Sequence, residues 1–153
     1  MSGRLTAALM AFACCLVVCG CGKGGNDAAP RGDEAASGVD AVVREVKEFT
    51  DELERAFETA RDPRDGVAEA QRLLDARRPA LAPRIASVKA GPELQRDAAA
   101  KRKWLEAEVD NTDRVSRLQV KYLDASMRDP DFKARLDRLV GDYNSMFKDS
   151  PAR

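Results

Sequence analysis

Histidine is absent from this chain. Imidazole acid/base catalysis, Ser-His and Cys-His nucleophilic pairs and His-containing metal triads are excluded with it. All four cysteines, Cys14, Cys15, Cys19 and Cys21, fall before residue 22, so nothing downstream can rest on a disulfide framework or a Cys-zinc site. Aromatic residues make up only 5% of the chain, and Trp104 is the single indole, which argues against a platform for stacking bases or sugars. Trp104 is expected to pack between helices instead. No stretch alternates apolar and polar residues as a strand does. No Gly-rich phosphate loop, nucleophile elbow, metalloprotease motif or nucleic-acid-binding motif occurs. Carboxylates, Lys, Tyr and hydroxyls are the only groups left for chemistry, and neither a cofactor nor a metal is expected.

What is present begins with an apolar run from Leu5 to Cys19, broken only by Thr6 and preceded by the lone positive charge of Arg4. It is shorter than the about 20 residues that span a bilayer, and it has the proportions of a signal peptide. The run ends in Val18-Cys19-Gly20-Cys21, with an aliphatic residue three positions before Cys21 and a small one just before it. This segment resembles the lipobox of bacterial lipoproteins, a resemblance confined to residues 1–21. It implies that residues 1–20 are a removed signal peptide and that the Cys21 thiol carries a diacylglycerol, with the new amino terminus acylated. Cys19 fits less well, because Val18 would stand where the processing protease takes a small side chain. Gly22 after the cysteine, where Asp commonly signals retention at the inner membrane, implies an outer-membrane destination facing the periplasm. Two or three acyl chains, at ~0.8 kcal/mol per buried CH₂, anchor a protein far more firmly than one.

Residues 22–38, GKGGNDAAPRGDEAASG, offer no apolar side chain larger than Ala and read as a tether. At ~5–6 Å × √n its reach is roughly 20–25 Å. A folded domain is expected from residue 39 to 149. Val39, Val42, Val43, Val46, Phe49, Thr50, Leu53, Ala56, Phe57 and Ala60 recur at helical spacing, and Ser37 with Asp40 suggests an N-cap. Asp62-Pro63 ends this helix and starts the next, since Pro suits the first helical position and Asp accepts from exposed N–H groups. The same device recurs at Asp129-Pro130.

Val67, Ala70, Leu73, Leu74, Leu81, Ile85 and Val88 continue a second stripe across Pro79 and Pro83, where a kink or break is expected. Gly91-Pro92 makes a turn, and the absence of Gly and Pro from Glu93 to about Arg128 predicts one long third helix. Its expected core stripe is Leu94, Ala98, Leu105, Val109, Thr112, Val115, Leu118 and Tyr122, then Leu123 and Met127. A last helix from Asp131 to Lys148 places Phe132, Leu136, Leu139, Val140, Tyr143, Met146 and Phe147 on one side. The expected fold is therefore all-α, an antiparallel bundle of about four helices.

Lysine plus arginine balance aspartate plus glutamate, but the charges are divided along the chain. Residues 39–71 hold ten acidic and five basic side chains, a net of −5, and residues 72–103 hold nine basic and three acidic, a net of +6. Arg96, Lys101, Arg102 and Lys103 cluster after the Gly91-Pro92 turn and form the candidate patch for an anionic ligand, unless they pair with the acidic first helix. Glu106, Asp110 and Asp113 recur at spacings of four and three, the pattern of a carboxylate pair or metal site, although Arg102, Arg114 and Arg117 lie within a turn of them. Met127 and Met146 with Phe132 and Phe147 would suit either a core or an apolar groove.

The functional expectation is a non-enzymatic helical module, held at the cell envelope by its lipid anchor, that binds an envelope protein or anionic polymer and not nucleic acid. A periplasmic chaperone or stress-response factor is the alternative within binding proteins. A carboxylate-dependent hydrolase or metal-binding enzyme built on Glu106, Asp110 and Asp113 is the alternative from another class.

Overall fold

The computed structural model describes residues 38–148. Cys21, the tether through Ser37 and the residues after Lys148 lie outside them. The described chain is all-α, as expected: α1 (Gly38–Thr59), α2 (Pro63–Ala90), α3 (Pro92–Arg96), α4 (Ala98–Lys121), α5 (Leu123–Arg128) and α6 (Pro130–Ser145).

Both Asp-Pro devices work as the residues dictate. The Asp62 carboxylate accepts from the Arg64 and Asp65 N–H groups, and that of Asp129 from Asp131 and Phe132, while Pro63 and Pro130 occupy first-turn positions. Pro79 and Pro83 do not divide α2, which runs through both. They stand on its exposed side, where the carbonyls of Asp75 and Pro79, which lose their helical donors, can turn to water.

The single third helix is not formed. Asp97 adopts extended dihedrals (φ −112°, ψ 108°) and its carboxylate accepts from Ala99 and Ala100, so that it ends α3 and caps α4. Tyr122 (φ −108°, ψ 25°) separates α4 from α5. Neither interruption uses Gly or Pro: Asp97 offers its own oxygen to the orphan N–H groups that begin a helix.

Each long helix lies beside two others, α1 and α6 each packing against α2 and α4. Interhelical polar pairs fix the directions. Arg77 to Glu52 and Arg84 to Glu45 set α2 antiparallel to α1, whereas Lys103 to Asp40 and Arg114 to Asp51 set α4 parallel to α1. Arg64 to Asp129 and Arg78 to Asp142 likewise set α6 parallel to α2. Consecutive long helices are antiparallel as expected, but two of the four lateral contacts are parallel. α1 and α6 meet across the core, where the Phe49 and Tyr143 rings lie 6.1 Å apart.

That core includes Val39, Val46, Phe49, Leu53, Val67, Leu74, Leu81, Ile85, Val115, Leu136, Leu139 and Tyr143, each almost inaccessible to water. The Thr50 hydroxyl donates to the Val46 carbonyl and accepts from the Tyr143 hydroxyl at 2.5 Å. Burial pushes the Tyr143 phenol up to about 12.

Candidate functional site

The candidate patch stands at the end of the bundle where α1 and α4 begin and α2 and α6 end. Arg96 closes α3, and Lys101 and Arg102 lie in the first two turns of α4; all three are exposed and have no ionic partner among the described residues. Lys103 is drawn away from them to Asp40 of α1. Other cations of the basic segment are also committed internally: Arg77 and Arg84 to α1, and Arg78 to Asp142 of α6. The charge division thus does two things. It selects helix neighbours along the bundle, and it leaves three cations at the tip.

Beside Lys101 lies a cavity of about 320 Å³ whose lining includes Leu94, Trp104, Leu105, Lys89 and Glu108. Trp104 is buried at 3% exposure, and its indole Nε1–H donates to Glu108 at 2.9 Å. Glu108 also meets the Lys89 ammonium at 3.5 Å, which offsets the one carboxylate in the lining. The floor is therefore apolar, with Lys101 beside it.

Glu106, Asp110 and Asp113 are exposed on the outer face of α4, and Asp113 pairs with Arg117 one turn on. Among the described residues no group of three or more potential ligands converges on a metal position. The four residues considered for a groove are not gathered into one: Phe132, Met146 and Phe147 are core, whereas Met127 is 75% exposed.

The core stripe expected for α4 is corrected by the structure. Val115, Leu118 and Tyr122 turn inward, but one and three turns before Val115 the inward residues are Asn111 and Trp104, not Leu105 and Val109. Leu105, Val109, Val120, Leu123 and Met127 are exposed, at spacings that return them to one side of the α4–α5 path. Asn111 interrupts the apolar pattern of the buried line. Buried at 2% exposure, it donates to the Ala107 carbonyl at 2.7 Å and holds a polar position in an otherwise apolar seam. The exposed apolar residues form two groups, Leu105 with Val109 and Val120 with Leu123 and Met127; contiguous exposed apolar surface marks interaction sites.

The strongest interhelical charge site is Arg114, half-buried, which pairs with Asp51 at 2.7 Å and with Glu54. The Arg114 guanidinium, with Lys47, holds the Asp51 carboxyl below the ordinary carboxylate range. The Phe132 N–H and then Arg64 do the same for Asp129, and Lys133 and then Gln119 for Asp137. A depressed folded-state pKa means that the unfolded chain binds more protons. The associated stability is present above the ordinary carboxylate pKa of about 4 and is lost as pH falls through the folded values. Melting followed by circular dichroism from neutral pH downward is expected to show a midpoint that declines below about pH 4, and a shallower decline in Arg114→Met. Parallel declines in the two chains would show that Arg114 does not carry the effect.

Among the described residues no helix is long and apolar enough to cross a membrane. In comparisons with known proteins, no family model, no curated protein and no solved structure matches the chain.

Proposed function

We propose that this chain is a lipid-anchored protein of the bacterial envelope whose helical bundle is a non-enzymatic binding module. The anchor is carried by the lipobox-like Val18-Cys19-Gly20-Cys21 after a signal-peptide-sized apolar run. The binding role is carried by one observation: the line of Leu105, Val109, Val120, Leu123 and Met127 on α4 and α5, exposed between 49% and 76%. Leaving such side chains in water forgoes their burial free energy, about 25 cal/mol per Å², which a partner surface would recover. The missing histidine and the solvent-facing Glu106, Asp110 and Asp113 support a binding role over a catalytic one. The same line suits the exposed segments of an unfolded client, which is the chaperone reading.

Two measurements test the proposal. Cys21→Ser is expected to abolish incorporation of labelled fatty acid and to release the chain from the membrane fraction; undiminished labelling would sink the anchor. Photoreactive residues at Val109 and Val120 are expected to give adducts in intact envelopes that the same residue at Arg72, an exposed position on α2, does not. Adducts at all three positions, or at none, would remove the α4–α5 line as the binding face. Slowed aggregation of an unfolded test protein, lost in Val120→Glu/Leu123→Glu, would favour the chaperone form of the reading.

A further inference from the structure

We propose that the end of the bundle into which the tether feeds is a seat for an anionic phospholipid surface. Which end faces the bilayer rests on the anchoring reading above; the charge and the apolar surface are properties of the bundle itself.

The first observation is direction. Because α1 and α4 run parallel, the chain enters at Gly38 on the same end as the candidate patch, and a Cβ at Gly38 would lie 3.8 Å from the Glu93 carboxylate of α3. On the anchoring reading, a tether of roughly 20–25 Å before Gly38 would bring this end to a bilayer first, while the other end of α4 lies ~36 Å away at 1.5 Å per residue.

The second observation is charge. Residues 38–44, 84–104 and 142–148, which make up the tether end, carry eight basic and four acidic side chains, a net of +4. Residues 53–69 and 115–136, at the opposite end, carry eight of each, a net of zero. Arg77, Arg84 and Lys103 are turned to carboxylates of α1, whereas Arg96, Lys101 and Arg102 are exposed and have no ionic partner among the described residues. Glu93 and Asp97 share their surface, and the Asp97 carboxylate is occupied by the first N–H groups of α4.

The third observation is what lies beside Lys101. Half-buried Leu94 and half-exposed Leu105 border the cavity with Lys101, so this cation stands directly beside apolar surface. A headgroup layer offers the matching order, phosphates outermost and glycerol and acyl carbon beneath them. A free polyanion would offer only the phosphates.

The test uses the full chain carrying Cys21→Ser, so that acyl chains contribute nothing. It is mixed with vesicles of pure phosphatidylcholine, or with vesicles in which about a third of the lipid is phosphatidylglycerol. Residues 1–20 partition into both, so the readout is the ratio of anionic to neutral partition. That ratio is expected to fall roughly 100-fold in the triple variant R96Q/K101Q/R102Q, since each basic residue near an anionic surface contributes about fivefold, and to collapse near 1 M salt, where the Debye length is ~3 Å. Circular dichroism of the triple variant is expected to be unchanged because all three side chains are exposed. An amine-reactive reagent is expected to modify Lys101 several-fold more slowly on anionic than on neutral vesicles and to modify Lys121 and Lys133 equally on both. An unchanged ratio in the triple variant, or equal protection of Lys121 and Lys133, would overturn the proposal. Displacement by millimolar inorganic phosphate at constant ionic strength would overturn it in favour of a discrete phosphate site. Failure of acyl labelling in the native chain leaves this ratio untouched, so the two proposals fail separately.

Discussion

Phe49→Ala is expected to destabilise the bundle by about 3–5 kcal/mol, the range for truncating a fully enclosed aromatic ring. Phe49 is at 0% exposure on α1 and faces Tyr143 of α6 across the centre, its ring inclined by 27°. Truncation removes the burial of the ring and leaves a void that α1 and α6 cannot close, because each is also held by α2 and α4. A domain of this size has only about 5–15 kcal/mol in total, so the variant should lose a large part of its stability. Urea titration followed by circular dichroism reads the change as a lower midpoint with an unaltered slope. A loss below ~1 kcal/mol would mean that the α1–α6 contact is not the centre of the core.

Gly66→Ala is expected to be destabilising as well, by about 1–3 kcal/mol, although helix propensity alone predicts a gain of about 1 kcal/mol. Gly66 is buried in the first turns of α2, and a Cβ there would lie 3.0 Å from both Cα and Cδ1 of Phe57 on α1. The ring atom can swing aside, but the backbone atom cannot without moving the helix. Gly141 of α6 supplies the contrast: a Cβ there meets nothing within 4 Å, so Gly141→Ala should follow propensity and stabilise by about 0.5–1 kcal/mol. Opposite signs are the expected result, measured as shifts in melting temperature of the two single variants. A gain in both would show that α1 and α2 approach less closely at their connection than the structure has them.

The first, second and last long helices were legible in the sequence because their apolar residues outnumber their ambiguous ones. Every apolar position expected inward on α6 is buried, and Asp62-Pro63 and Asp129-Pro130 mark boundaries by chemistry that acts within one turn. α4 was not legible because two apolar lines compete on it. The buried line spends a position on Asn111, while the exposed line carries Leu105 and Val109, so hydrophobic spacing favours the wrong phase. The break at Asp97 was also hidden. An Asp before three alanines signals an N-cap only if the preceding residues stop being helical, and that depends on α3 packing against α2 and α4. The close approach at Gly66 leaves no trace in periodicity at all. At the candidate site the clustering of Arg96, Lys101, Arg102 and Lys103 was visible, and so was pairing with the acidic first helix as the alternative; that Lys103 takes it up with Asp40 while the other three do not follows from α4 lying parallel to α1.

The parallel pairing of α1 with α4 and of α2 with α6 brings residues 38 and 148 to one end of the bundle and the 60–62 connection to the other. The chain therefore describes a nearly closed path, open only at its cationic end, and such paths tolerate being cut elsewhere and rejoined. A permuted chain that links residue 148 to residue 38 and opens between Ala60 and Asp62 would keep the same neighbours and the same core. Its two ends would then emerge at the opposite pole. Polarity along the long axis is thus a property that can be inverted without altering a single packed side chain, which separates what the bundle is from which way up it stands.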